Sequence, residues 1–464
     1  MNISSNGKTA IEQLKTLLHI SDSFDLVFRD LTICNHTAAI FFTDGLVKDE
    51  VTEKLLEFFY SIKDENMLKD AQTFAQNCVP YIEAGIEADL DKITCAVLSG
   101  ILVLIIDGLD KAVLIDVRTY PQRENAEPEK DKVLRGSNDA FVETLVANTA
   151  LIRRRIRDTN LRMKYFCVGS RSKTDVALCY MSDKVDKRLL EQISSRIENA
   201  NVSSLTMNLQ SLSEAIYRHK WYNPFPKMKF SERPDTAASA VLDGNIVIIC
   251  DNAPMVMIIP TSIFDVLEEA DDYYFPPITG TYIRLTRWAI VIASLLITPL
   301  WLLALQYPQY VPPMFQFILI DDYNIPIFWQ LMILEIAVDG LRLAAINTPN
   351  MLTTPLSIIG GIALSDFAVS SGWFSSEAIL YMAFAAITSY SQPSYELGYA
   401  IKFMRIIILV LTEIFGIWGF AAGIVFSIVV LVTNRTVSGK SYLYPLIPFN
   451  GKKFMRKVLR FRHE

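Results

Sequence analysis

Three charged side chains lie inside an otherwise apolar stretch, residues 327–346, at a spacing that places them on one helical face. They are Glu335, Asp339 and Arg342, at positions i, i+4 and i+7. An ionised group at the centre of a bilayer costs about 2.5–3.5 kcal/mol on insertion scales, so such residues normally face water, a partner or each other. Two interpretations stay open: an Asp339–Arg342 ion pair that locks helix packing, or a polar lining for an ion path between subunits.

Two further acids, Asp366 and Glu413, stand alone in apolar stretches. Each could be protonated, hold neighbouring helices together or act as a ligand in a pore. We therefore expect any ion pathway to use Glu335, Asp339 and Arg342 together with these two acids.

The sequence lacks the usual motifs of catalysis and cofactor binding. It contains no GxxxxGK[ST], no GxGxxG after a strand and no HExxH. The four histidines are scattered, which indicates neither a metal cluster nor a His-centred triad. We predict a protein that is not an enzyme and needs no metal or cofactor.

Charge is distributed unevenly along the 464 residues, which carry 44 Lys and Arg, 50 Asp and Glu and a formal net charge of −6. Residues 288–434 contain only eleven charged side chains, whereas the remainder has the density of a soluble surface. This split excludes a purely cytosolic enzyme, a secreted disulfide scaffold and a disordered chain. Without a basic excess, nucleic acid is not an expected partner. We predict an integral membrane protein with a large soluble front end.

Apolar stretches in residues 288–434 predict about four to five hydrophobic helices. The candidates are 288–306, 356–374, 377–392 and 405–432, with the charged stretch 327–346 as an ambiguous fifth. Closely spaced Gly, Ala and Ser in the second and third favour tight helix packing.

Basic residues and the N-terminal sequence set the expected topology. Eight Lys and Arg follow Asn434, and the first twenty residues contain no uninterrupted apolar h-region. Both ends are therefore expected in the cytoplasm, which requires an even number of crossings. We predict four, with 327–346 re-entrant or lying at the interface; six or five crossings are the alternatives. Four crossings would place Lys402 and Arg405 on the outer side, which conflicts with the charge rule.

An internal repeat is visible in the soluble part. Asp91 begins DKITCAVLSGILVLIID, and Asp235, 144 positions later, begins DTAASAVLDGNIVIICD, with eight identical positions and no gap. Each copy is typical of a short helix that ends at Gly, followed by two strands joined by a tight turn at Asp107-Gly108 or Asp251-Asn252. We predict two related α/β subdomains, at about 20–120 and 160–265.

The fold class is therefore an α/β cytoplasmic region of two related subdomains followed by an α-helical transmembrane domain. The predicted regions are a first α/β subdomain (1–120), a linker loop with an Arg-rich helix (121–160), a second α/β subdomain with the membrane junction (161–287), a transmembrane helical domain (288–434) and a basic cytoplasmic tail (435–464).

The arginines and cysteines of the soluble part lead to two further predictions. Arg153, Arg154, Arg155 and Arg157 end a helical pattern and are either solvated or in contact with anionic lipid or an acidic partner. None of the six cysteines forms a CxxC pair, and three lie in apolar runs, which favours reduced, buried thiols.

Several motifs together resemble the A-subunit family of spore germinant receptors, the GerA family, over about residues 30–450. They are Phe141-Val-Glu143, Leu151-Ile-Arg-Arg-Arg-Ile156, Pro224-Phe-Pro226, Ser231-Glu-Arg-Pro-Asp235 and Asp271-Asp-Tyr-Tyr274. The motif residues are Glu143, Asn148, Arg153, Glu232, Arg233, Pro234, Asp235, Asp272, Tyr273, Arg284 and Arg287.

The sequence departs from this family pattern at two places. Asn252 stands where Gly is usual, and Leu341-Arg342-Leu343-Ala344 replaces Leu-Arg-Glu-Ala. Residues 339–349, with Ser371-Gly-Trp373 and Leu380-Tyr-Met382, instead resemble a separate branch of the family. The departures argue against direct nutrient sensing.

The resemblance implies a multi-pass protein of the spore inner membrane, with its N-terminal domain and tail on the core side, that takes part in germination. It implies rings that conduct ions, membrane partners from the germination machinery and a role beside the channel that releases dipicolinic acid. A homo-oligomeric channel subunit is the leading hypothesis, and a secondary transporter or a non-conducting scaffold is the alternative.

Overall fold

A computed structural model describes residues 3–4, 6–63, 68, 70–120, 136–217, 222–319, 323–347 and 366–460. The chain divides into two compact units. The first consists of Met1–His219 and Met228–Pro260, and the second of Lys220–Lys227 and Thr261–Glu464.

The first unit contains two five-stranded sheets of identical topology, which confirms the predicted repeat. The first half consists of α1 (Gly7–Leu18), β1 (Leu26–Ile33), β2 (His36–Thr43), α2 (Asp49–Ser61), α3 (Ala71–Asn77), β3 (Ala84–Glu87), α4 (Leu90–Leu98), β4 (Leu102–Ile106) and β5 (Ala112–Ile115). The second half consists of α5 (Leu145–Arg155), β6 (Leu161–Val168), β7 (Thr174–Met181), α6 (Lys187–Glu198), α7 (Asn208–Ile216), β8 (Lys229–Ser231), α8 (Pro234–Leu242), β9 (Ile246–Cys250) and β10 (Val256–Ile259). The strand orders are β1-β2-β4-β5-β3 and β6-β7-β9-β10-β8, and all pairings are antiparallel.

Helices cover both faces of the first sheet, and strand β4 shows why its sequence is continuously apolar. Val103 and Ile105 join the core formed with α1 and α4, whereas Leu102, Leu104 and Ile106 join the core formed with α2 and α3. Because successive strand residues point to opposite faces, a strand with two covered faces needs apolar side chains at every position. Strand β9 is likewise buried at all five positions.

The matching aspartates of the repeat have the same structural role. Asp107 Oδ1 accepts a hydrogen bond from the Gly7 amide at 2.7 Å, and Asp251 Oδ1 accepts one from the Leu145 amide at 3.0 Å. Each carboxylate thus meets the unpaired amides at a helix N-terminus, of α1 in one half and α5 in the other. Helix α5 does not lie in a linker between the subdomains, as predicted, but packs within the second, where Leu151 belongs to the core.

A buried ion pair joins the two halves of the first unit. Arg153 of α5 donates from Nε to Asp25 Oδ2 at 2.8 Å and from a terminal nitrogen to Oδ1 at 3.2 Å, with both side chains almost fully buried. Arg153 also donates to the Leu161 carbonyl at 3.4 Å. The expectation that this arginine is solvated or faces a partner is therefore wrong, because its charge is needed by Asp25.

The cysteines only partly follow their predicted burial. Cys179 and Cys250 are buried free thiols, and burial raises the pKa of Cys250 to about 12. Cys95 and Cys167 are also free but exposed, which contradicts the expectation for Cys95.

The second unit is helical. It contains α9 (Ile263–Leu267), α10 (Asp271–Tyr274), α11 (Pro277–Gln306), α12 (Ile327–Asn347), α13 (Asp366–Ser370), α14 (Ser376–Tyr390), α15 (Tyr395–Thr433) and α16 (Gly451–Val458). Among the described residues, α11 and α15 have the length and apolar composition that a membrane crossing needs. The predicted span 356–374 lies mostly outside the described residues, so the number of crossings stays a prediction.

Helix α15 reverses direction at Gly416, where φ is +58° and ψ −134°. The Cβ position of Gly423 lies 3.0 Å from Ile408 Cα, although 15 residues of straight helix would span about 22 Å. The arms 395–415 and 417–433 therefore form a helical hairpin, which brings Gly419, Gly423 and Ser427 into its buried interface. The prediction of a single continuous helix over 405–432 is wrong, because the glycine permits a backbone conformation that reverses the chain.

We predict that Arg153→Met destabilises the full-length protein by about 3–5 kcal/mol, because it leaves the Asp25 carboxylate buried without a cation. Thermal and denaturant unfolding in detergent measures the effect, and Arg157→Met, at an exposed position, is the control. An unfolding free energy equal to that of the control would contradict the role assigned to the pair.

We also predict that Ile408→Cys with Gly423→Cys forms an intramolecular disulfide in a background where Cys95 and Cys167 are Ser. The two Cβ positions are 3.3 Å apart, close to disulfide geometry. Phe403→Cys with Trp418→Cys has the same sequence separation but exposed side chains, and should stay reduced. Gel mobility and mass spectrometry after mild oxidation measure both. A straight α15 would cross-link neither pair.

Candidate functional site

Charged side chains from two helices meet inside the second unit and form what we call the charged cluster: Glu335 and Asp339 of α12 with Lys402 and Arg405 of α15. The carboxylate of Glu335, which is 3% exposed, occupies its centre. Its Oε1 accepts from Arg405 Nε at 2.8 Å and from a terminal Arg405 nitrogen at 2.6 Å, while Lys402 Nζ lies 3.1 Å from Oε2. Two cations thus offset the desolvation of one buried carboxylate.

Arg405 also ties the cluster to a third helix. Its remaining terminal nitrogen donates to the Ser294 carbonyl at 3.0 Å and to the Ser294 hydroxyl at 3.2 Å. Because Ser294 lies in the middle of α11, one guanidinium fixes the relative positions of α11, α12 and α15.

Lys402 is shared between the two acids of α12. Its ammonium lies 2.5 Å from Asp339 Oδ2 and donates to the Glu335 carbonyl at 3.1 Å. The Asp339 side chain is 34% exposed, in contrast to that of Glu335. The two carboxylates therefore differ in exposure although they use the same lysine.

Arg342 has a different environment. Its guanidinium lies over the rings of Tyr390, Tyr395 and Tyr399, at 5.2, 4.6 and 5.0 Å from their centroids. These are favourable cation–π distances. The predicted Asp339–Arg342 ion pair is wrong: Asp339 pairs with Lys402 of another helix.

A small cavity is bordered by the cluster and by Arg342 and Tyr390. It admits about one water molecule. Glu335, Asp339 and Arg342 therefore border one cavity, beside a compact ion-pair network, while their use in an ion path stays a prediction. The partners Lys402 and Arg405 were not predicted from the sequence. A signal was available, because two acids in one apolar stretch need cationic partners and a second apolar stretch contains two cations.

Of the other two predicted acids, only Glu413 has a described side chain, and it lies apart from the cluster. Glu413 lies near the hairpin tip and accepts a hydrogen bond from Gln306 Nε2 at 3.2 Å. Asp366 begins α13, and its side chain lies outside the described part of the structure.

A second network surrounds Asp272, whose side chain is completely buried. Its carboxylate accepts from Arg284 Nε at 3.1 Å and from Arg287 at 3.0–3.2 Å, while these arginines also pair with Glu268 and Glu269 at 2.8 and 2.5 Å. Burial and the neighbouring Glu268 carboxylate raise the pKa of the Tyr273 hydroxyl. These motif residues anchor the start of α11.

The C-terminal tail takes part in this network. Lys457 pairs with Asp265 at 2.6 Å and with Glu268 at 2.8 Å, and Arg460 donates to the Tyr273 carbonyl at 2.5 Å. Sequence reasoning used the tail only as a marker of topology. Part of its positive charge is in fact required to pair with acids near α10.

The motif residues of the first unit support its loops. Arg233 pairs with Asp235 at 2.5 Å and donates to the Ser137 carbonyl at 3.0 Å, and Pro234 begins α8. The Asn148 side chain bonds both backbone groups of Val142. Backbone carbonyls of the two motif glutamates complete the pattern: Glu232 accepts from Phe141 at 2.9 Å, and Glu143 accepts from Asn252 at 2.7 Å. These residues stabilise the fold, and the charged cluster remains the candidate functional site.

Comparisons with known proteins agree with the resemblance of the motifs. The family model described as Bacillus/Clostridium GerA spore germination protein matches residues 12–464. Stage V sporulation protein AF of Bacillus subtilis (strain 168) is 37% identical over 451 residues, which cover 97% of this chain and 91% of that protein. Spore germination protein A1 of the same strain is 27% identical over 440 residues, 90% of each chain.

One solved structure, the N-terminal domain of the A subunit of the Bacillus megaterium spore germinant receptor GerK3, aligns with 56% of this chain and 96% of its own. Its TM-score is 0.42 and its identity 22%. From the match of the family model over almost the whole sequence, we conclude that the chain belongs to the GerA family of spore germination proteins.

Proposed function

We propose that this chain is a non-enzymatic membrane subunit of the germination machinery and that several copies of it conduct ions, with the charged cluster as the gate. Its family supports the role in germination. The observation that carries the proposed conduction is the sharing of Lys402 by a buried carboxylate, Glu335, and a partly exposed one, Asp339.

Helix packing by itself does not require this arrangement. Apolar side chains of similar volume often stabilise a buried site as well as an ion pair does. Ionisable groups within membrane helices are costly and mark ion pathways in many channels and transporters. Four of them converge here beside a cavity, which is the pattern of a site that handles charge.

The two carboxylates would have different tasks. Glu335 is held by Arg405 and Lys402 and serves as a fixed anchor for α15. Asp339 is more exposed, so displacement of Lys402 leaves its carboxylate open to water or to a cation. A germination signal would open the gate by binding more tightly to the arrangement in which Lys402 has moved.

The proposed setting is the spore inner membrane, with both ends of the chain on the core side. The eight basic residues after Asn434 support that orientation. Other membrane proteins of the germination machinery are the proposed partners, and the resemblance of the motifs supports a contribution to the release of dipicolinic acid.

We predict that Asp339→Asn raises basal ion flux through the purified protein in liposomes about tenfold. Loss of a charge-assisted hydrogen bond of about 1.5 kcal/mol shifts a closed–open equilibrium by roughly that factor. Flux is measured with the protein alone and with candidate membrane partners. Glu377→Gln, which removes an acid at the start of α14, is the matched control and should not change flux.

Flux identical to that of the wild-type protein in Asp339→Asn, from protein shown to be inserted and folded, would exclude the cluster as the gate. The channel proposal also requires measurable conductance from the wild-type protein, either alone or with at least one candidate membrane partner.

A non-conducting scaffold for other germination proteins is the second candidate, because Glu335 is completely paired and Ser294 extends its network to a third helix. For a scaffold, we predict that Asp339→Asn and Arg342→Gln together leave spore germination unchanged, because both changes keep Glu335 paired with Arg405 and Lys402. Germination kinetics of spores that carry this double variant measure the effect. A strong defect despite normal protein abundance would argue against the scaffold.

A further inference from the structure

Helix α16 presents a basic face that the networks described above do not use. Lys452, Lys453 and Arg456 are exposed on this face. We propose that it binds anionic phospholipid headgroups at the boundary of the bilayer that α11 crosses. The inference depends on α11 being a membrane span and not on ion conduction.

The opposite face of α16 is fixed to the second unit. Phe454 packs edge-on against Phe264, with ring centroids 5.9 Å apart, and Lys457 pairs with Asp265 and Glu268. These contacts set the rotation of the helix. The three other basic residues are therefore directed away from the acids of this region.

Contacts with α11 give the level of α16 along that helix. The Arg460 amide donates to the Thr281 hydroxyl at 3.1 Å, and Arg284 donates to the Arg456 carbonyl at 3.3 Å. Phe264, the partner of Phe454, also packs against Trp288 at 5.1 Å. Helix α16 thus runs antiparallel to the first turns of α11.

This direction places the start of α16 at the edge of the apolar span. Residues 288–306 of α11 contain no charged side chain, whereas Arg284 and Arg287 precede them. Because α16 approaches the level of Trp288 at Phe454, Lys452 and Lys453 lie at the level where the charge-free stretch begins. Basic side chains at that level reach phosphate groups at the bilayer surface.

Exposed apolar side chains accompany the basic face. Phe449, just before α16, and Met455, within it, are 70% and 46% exposed. An acidic soluble protein would neutralise the lysines but would have to cover these side chains as well. An anionic leaflet satisfies both, since headgroups meet the charges and the acyl boundary takes the apolar groups.

Hydrogen exchange of the full-length protein in lipid nanodiscs tests the proposal. One set of discs contains phosphatidylcholine only, and the other contains about one-third phosphatidylglycerol. We predict that phosphatidylglycerol slows exchange of the amides in residues 449–458 about tenfold, because basic side chains close to an anionic surface are attracted to it. The triple variant Lys452→Gln, Lys453→Gln and Arg456→Gln should lose this effect.

Matched controls separate lipid binding from folding. Arg171→Gln, Lys187→Gln and Arg188→Gln remove three exposed charges from the first unit and should keep the full lipid effect. In phosphatidylcholine alone, the α16 variant and the wild-type protein should exchange about equally, because all three side chains are exposed and the contact of Lys453 with the Tyr444 ring is long at 5.6 Å.

Three outcomes would overturn the proposal: no effect of phosphatidylglycerol on the wild-type protein, an undiminished effect in the α16 variant, or protection by polyglutamate but not by the lipid. The last would identify the face as a docking surface for acidic protein. None of these readouts depends on conductance. If the protein shows no ion flux, the lipid proposal can still be correct.

Discussion

The helical unit is organised by one constraint: a carboxylate buried among apolar helices must be met by cations from neighbouring helices. Glu335 satisfies it with Arg405 and Lys402, and Arg405 in turn requires Ser294 for its remaining donors. Removing one member of such a network strands a charge at a cost of about 3–5 kcal/mol. The rotation of α11, α12 and α15 about their axes is therefore fixed by polar contacts as much as by the surrounding apolar packing.

The same constraint explains the motif residues outside the cluster. Asp272 is buried between two arginines of α11, and Asp25 is buried against Arg153 of the second half of the repeat. In each case a charged residue, which single-sequence reasoning assigns to a surface or a partner, holds two segments together. The motif residues of the first unit thus hold its two halves together, and those of the second unit hold the start of α11.

The sequence allowed the repeat to be predicted because its signals are local. Helix-ending glycines and tight turns act within a few residues, whereas the equal roles of Asp107 and Asp251, which bind helix N-termini 100 and 106 residues away, are visible only in the structure. Partners across the helical unit could not be predicted in this way. Helical spacing shows which face carries Asp339, but not that its partner is Lys402, 63 residues later.

Two other failures have physical causes of the same kind. An apolar run gives no direct sign of a reversal at Gly416, because glycine is common in membrane helices and only its φ of +58° turns the chain. Arg342 has the right spacing to pair with Asp339, yet three tyrosines from other parts of the chain supply its environment. The reversal at Gly416 depends on a backbone angle and the environment of Arg342 on residues far along the chain, and a local sequence pattern shows neither.

Helix α11 connects the two networks of the second unit. It carries Arg287 beside Asp272 and, seven residues later and about 10 Å along the axis, Ser294 beside Arg405. Pro299, where a kink in this helix would be expected, lies beyond both contacts, so the segment between them has uninterrupted helical hydrogen bonding. A rotation of this segment that loosens Asp272 would also withdraw Ser294 from Arg405 and weaken the hold of Arg405 on Glu335. The contacts at the start of α11 and those of the charged cluster are therefore carried by the same helical segment, and we expect a change in the tail contacts of Lys457 to reach the proposed gate along it.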